Sequence, residues 1–107
     1  MTFLETVQKQ IEIGMPIFQK LFNHDSKEIR ELVGKAVQGK KLPKNVDGMF
    51  EHGQVEKVSH NDEPWSISIN FYDHIEINWL GIKLVSEYGQ KETIVEFDET
   101  FNPNFFD

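Results

Sequence analysis

The side chains of this 107-residue chain that could transfer a proton, hold a metal or attract a cation are four histidines and eighteen carboxylates, and cysteine is absent. His24, His52, His60 and His74 show neither HExxH nor another ligand spacing, so the sequence predicts no metal site. The His60-Asn-Asp-Glu63 cluster and the Asp73-His74 pair fall at opposite ends of an apparent strand, about 23 Å apart at strand rise, and cannot share one site. One constellation can still be assembled. If a strand before residue 60 folds back on the one after it, His52 approaches Phe71 and meets Asp73 and His74, with Tyr72 joining them in a pocket between helices and sheet. Acid–base catalysis needs a pocket and an oriented partner, which adjacency of Asp and His does not supply, so these four residues define an alternative pocket and not an active site.

Nucleophilic chemistry has less support. There is no thiol and no GxSxG turn, and Ser66 and Ser68 project from a strand. The spaced glycines Gly34, Gly39, Gly48 and Gly53 match no phosphate-binding loop. The expectation is a protein that is not an enzyme and carries no cofactor.

The carboxylates are distributed unevenly. Residues 1–49 carry eight Lys/Arg against six Asp/Glu, net +2, whereas residues 50–107 carry three against twelve, net −9, for a total of −7. An acidic second half repels phosphate backbones and anionic lipid and attracts a basic protein, raising its association rate by roughly 10- to 1,000-fold if the charges share a face. The basic run Lys40, Lys41 and Lys44, with Lys35 before it, follows a helix end, where lysines oppose the helix dipole and aid solubility.

The elements that must position these charges follow from periodicity. Thr2 and Glu5 are in capping-box register ahead of Leu4, Val7 and Ile11, which predicts a first helix. Gly14 and Pro16 are expected to end it, with a short second helix over 16–22; a single kinked helix is the alternative. Asp25 caps a further helix with the stripe Ile29, Leu32, Val33, Ala36 and Val37, stopped at Gly39. Residues 45–59 give a poor signal, with a first strand expected within 50–59, and 60–64 form a turn.

From Trp65 to Phe97 the chain alternates apolar and polar residues, the signature of an antiparallel sheet with one buried face. Keeping Trp65, Ile67, Ile69 and Phe71 on the side of Ile75, Ile77 and Trp79 requires an even-sum register, predicted as 71 with 75, 69 with 77 and 67 with 79 around a three-residue turn at 72–74. The apolar phase slips between Trp79 and Ile82, which a bulge at Gly81 would explain. A two-residue turn at Tyr88-Gly89 would then pair Leu84 with Thr93 and Ile82 with Val95. Phe101, Phe105 and Phe106 are expected to pack on their own domain.

The predicted architecture is α+β: a single domain over 1–107 in which N-terminal helices (1–39) pack on one face of a four-stranded antiparallel sheet (50–98), followed by an aromatic tail (99–107). Its outer face should carry Ser66, Ser68, Asn70, Glu76 and Asn78, then Lys83, Glu87, Glu92, Ile94, Glu96 and Asp98, with Glu92, Glu96 and Asp98 as an acidic stripe. With no leader, no membrane-length apolar run and no cysteine, a soluble cytoplasmic protein is expected, binding neither nucleic acid nor membrane.

The leading functional expectation is a small acidic protein-binding domain. Its most concrete form is an immunity protein that neutralises a bacterial nuclease-type toxin by laying Glu76, Glu87, Glu92, Glu96 and Asp98 over the toxin's basic active site. The alternatives are a small enzyme or ligand-binding domain with a pocket between helices and sheet, and an interaction module that dimerises through an edge strand or the phenylalanine tail.

Overall fold

A computed structural model describes residues 2–59 and 65–106, the Pro103 side chain excepted. The predicted turn at 60–64, with His60, lies outside the described residues. The fold is α+β: helices α1 (Phe3–Phe22), α2 (Ser26–Ala36) and α3 (Val46–His52) precede strands β1 (Gln54–Val58), β2 (Ser66–Asn70), β3 (His74–Asn78), β4 (Gly81–Val85) and β5 (Lys91–Glu96), and a 3-10 helix (Pro103–Phe106) closes the chain. The sheet is a meander in the order β1-β2-β3-β4-β5, every pair antiparallel. Five strands replace the four expected.

The extra strand comes from the phase slip. Trp79 and Leu80 form a reversal, with Asn78 facing Gly81 and Ile77 facing Ile82. A two-residue connection puts an odd and an even residue on the same face, so it produces the same sequence signature as a bulge within one strand. The Asn78 carboxamide oxygen accepts from the backbone N–H of Leu80 at 2.8 Å and Gly81 at 3.3 Å, shaping the turn. Gly81 has φ 155°, and a Cβ there would lie 2.0 Å from the Val95 carbonyl oxygen, so glycine is required sterically.

The bulge is one hairpin later. Ile82 faces Val95 but Lys83 faces Thr93, leaving Ile94 unpaired, and Leu84 faces Glu92 where Thr93 was expected. The preceding turn is correspondingly wider than Tyr88-Gly89: Ser86 N–H donates to the Gln90 carbonyl at 2.8 Å, and Gly89 takes φ 84°. In the β2–β3 hairpin the even-sum register holds but shifts by two, with Ile69 facing Ile75 and Ile67 facing Ile77. Its three-residue loop is therefore 71–73, so Phe71 leaves the core face and is 46% exposed. A shift of two preserves which face each side chain takes, and alternation alone cannot detect it.

α1 runs through Gly14 and Pro16 as one helix, capped by Thr2, whose hydroxyl accepts from Glu5 N–H at 3.2 Å. Proline removes one N–H and crowds the preceding turn, but Gly14, Ile17 and Leu21 are buried, and that burial holds the helix together. Gly14 is the contact point: a Cβ there would lie 2.9 Å from Trp79 Cα. Asp25 caps α2 through its 2.8 Å bond from Glu28 N–H, as the sequence implied. α3 occupies the stretch with the poorest signal, because seven residues with only Val46 and Met49 buried show too little periodicity to read.

One core results. Ile17, Leu21, Ile29, Val33, Val46 and Met49 from the helices meet Ile67, Ile69, Ile75, Ile77, Ile82 and Leu84 from the sheet, with Trp65 stacked on Phe18 at 4.9 Å. Each such aliphatic residue contributes about 1.5–3 kcal/mol by leaving water. In the tail, Phe106 is fully buried and Phe101 partly so, but Phe105 is 46% exposed. Among the described residues, no helix is long and apolar enough to cross a membrane.

Candidate functional site: the outer sheet face and its loops

With the inner face assigned by its isoleucines, the registers define the outer one. Its central row runs Glu56, Ser68, Glu76, Lys83, Thr93 across the five strands; one flanking row is Gln54, Asn70, His74, Val85, Lys91 and the other Val58, Ser66, Asn78, Gly81, Glu96. Most of these side chains are half-buried or exposed; Asn78 and Val85 are buried. The face is mixed in charge, since Glu76 stands directly opposite Lys83.

The five acids expected on one surface are divided. Glu76 and Glu96 are on the outer face. The bulge at Ile94 turns Glu92 to the side of Leu84, toward the helices, where it lines a hollow of about 540 Å³ with Pro43, Leu84, Ser86, Gln90 and Lys91. Glu87 sits in the β4–β5 turn, and Asp98 follows β5. The continuous Glu92–Glu96–Asp98 stripe is therefore absent. Its sequence signal was legible in retrospect: Ile94 and Val95 are adjacent apolar residues, both half-buried, which breaks strict alternation where the bulge falls.

Glu96 and Asp98 do converge. They line a hollow of about 330 Å³ at the corner of the sheet with Gln10, Leu80, Lys83, Thr93 and Phe97. The Gln10 amide donates to the Phe97 carbonyl at 3.1 Å, tying α1 to this corner, and Lys9 pairs with Glu99 beside it. Asp98 Oδ1 accepts from the Thr100 hydroxyl at 2.6 Å and the Thr100 N–H at 2.8 Å, and these bonds hold its carboxyl below the ordinary carboxylate range. Asp98 is thus a fixed anion of this hollow, whose lining also holds the Lys83 cation.

The alternative pocket residues take separate roles. His52 ends α3 and is not on a strand; its exposed ring lies 3.5 Å from Glu51. Tyr72 is 70% exposed at the β2–β3 loop and stacks edge-on with Phe71 at 4.8 Å. His74 is in β3 between Asn70 and Val85, not in the turn. Asp73 is buried, and accepts from Asn45 Nδ2 at 2.7 Å and Glu87 N–H at 2.9 Å, so its carboxylate joins three loops at one end of the sheet. Among the described residues no group of three or more His, Asp or Glu is arranged to hold a metal ion. The lysines 35, 40, 41 and 44 are exposed at and beyond the end of α2.

The fold and its corner define an α+β domain with one face of its antiparallel sheet packed under helices and the other polar. The chain matches no protein-family model, no curated protein and no solved structure.

Proposed function

We propose that this chain is an acidic protein-binding domain, most concretely an immunity protein that neutralises a nuclease-type toxin by covering its basic active site. The observation that carries the reading is the convergence of Glu96 and the hydrogen-bonded Asp98 carboxylate in one hollow at the sheet corner, next to Lys83 and, through it, Glu76. Fixed carboxylates at the rim of a hollow suit an Arg or Lys side chain from a partner, which exchanges its phosphate ligand for them. Glu87 and Glu92 lie off this surface and contribute long-range attraction to the encounter, not contact.

The test is binding to the protein encoded beside this one, purified separately and followed by stopped-flow kinetics at increasing salt. Association should slow steeply as salt screens the charges, and the pair Glu96→Lys with Asp98→Lys should abolish the tight complex while Glu92→Lys lowers only the association rate. An on-rate independent of salt would sink the electrostatic mechanism. Equal losses from Glu92→Lys and Glu96→Lys would remove the corner from the interface.

A further inference from the structure

The two edges of the sheet are not equivalent. β5 is interrupted by its bulge at Ile94, whereas β1 pairs with β2 over all five residues without a break. A bulge spoils an edge as a template; an uninterrupted edge presents a row of unpaired backbone donors and acceptors. β1 is also held from its inner side. Arg30 Nη1 donates to the Gly53 carbonyl at 3.0 Å just before the strand. Lys57 Nζ donates at 2.7 Å to both the Phe22 and His24 carbonyls at the end of α1. Four of the five β1 side chains are exposed. Among the described residues, no strand pairs with the far side of β1.

A second copy of the chain would pair through the same five residues of β1, and one residue stands against it. Pairing of β1 with itself about a two-fold axis uses the same patch on both copies and closes the assembly. To keep outer faces together, facing residue numbers must sum to an even value. The register that uses the whole strand sets Gln54 opposite Val58, Val55 opposite Lys57 and Glu56 opposite Glu56. Sliding by two in one direction sets Lys57 opposite itself; sliding the other way leaves only 54–56 paired. Like charges directly opposite destabilise a strand pair. In the full register, Glu56 is the only residue that meets its own charge.

We infer that β1 is a self-pairing edge held open by Glu56, whose carboxylate prevents two copies of this chain from joining into one continuous sheet. The inference is independent of the toxin-binding reading, which concerns the opposite end of the sheet. Removing the charge should convert a monomer into a dimer, with Thr the suitable replacement because it fits a strand and pairs well with itself.

Sedimentation equilibrium over a wide concentration range tests this directly. The wild-type chain should have the mass of one chain, and Glu56→Thr a mass rising toward that of two. Glu96→Thr, which removes the same charge on the bulged edge, should stay monomeric. A wild type that already dimerises, a Glu56→Thr chain that remains monomeric, or equal association of the Glu96→Thr control each overturns the inference. Register is read independently in a chain without native cysteine: Glu56→Cys should cross-link to itself readily under mild oxidation, since residues facing each other across a strand pair fall within disulfide reach. Gln54→Cys placed in the Glu56→Thr chain should not, because in the paired dimer its two copies would be about 13 Å apart. Faster cross-linking at 54 than at 56 also overturns the inference.

Discussion

Asp73 Oδ2 accepts a hydrogen bond of 2.7 Å from Asn45 Nδ2, joining the β2–β3 loop to the segment that enters α3. The other oxygen takes the Glu87 N–H at 2.9 Å, so one buried carboxylate fixes three connections that are remote in sequence. Asp73→Ala should leave the Glu87 N–H without its partner and cost about 2–3 kcal/mol, read by urea denaturation. Asn45→Ala removes one bond and should cost less. A neutral Asp73→Ala would show that the three loops are held by their own packing.

Gly14 should tolerate no side chain. Alanine is the better helix former by about 1 kcal/mol, but its Cβ would sit 2.9 Å from the Trp79 backbone. The steric term should win, and Gly14→Ala should lower stability by about 1–3 kcal/mol, measured by thermal or chemical unfolding. A stabilised variant would mean that α1 stands off from the β3–β4 turn.

The two adjacent phenylalanines of the tail should behave differently. Phe106 is fully buried and touches Phe101 and Phe105, whereas Phe105 is 46% exposed. Phe106→Ala should cost about 3–5 kcal/mol and Phe105→Ala about 1 kcal/mol, compared by denaturant midpoint. Equal effects would argue against docking of the 3-10 helix.

Asp98 supplies a pH dependence with a definite sign. The Thr100 hydroxyl and N–H stabilise its ionised form, so its folded-state value lies below the unfolded one. Its contribution to stability is present above the unfolded carboxylate range and is lost as pH falls through the lowered folded value. Thr100→Val removes the hydroxyl bond and should raise the Asp98 titration midpoint toward the ordinary range, followed by carboxyl NMR. No change in midpoint would assign the shift to the backbone donor alone.

Much of the local structure was legible because its determinants are local. The Thr2 and Asp25 caps, the stripe Ile29–Leu32–Val33 and the even-sum register of the first central hairpin each depend on residues a few positions apart. The α+β class follows from helical spacing giving way to period-two alternation. Loop length was less accessible: alternation fixes the face of Ile69 and Ile75 but is unchanged when the register moves by two, so Phe71 was placed inside and stands outside.

What the sequence by itself determined is the inward face of Ile67, Ile69, Ile75 and Ile77 in the central hairpin and the concentration of acid in the sheet half. Only the tertiary structure decided that α1 continues through Pro16, because the burial that outweighs proline's local penalty comes from Gly14, Ile17 and Leu21 meeting a sheet far along the chain. It also decided that five strands form and that the acids separate. A two-residue reversal at Trp79-Leu80 and a bulge at Ile94 each change parity by one, so alternation alone does not separate them and the strand that pairs alongside does.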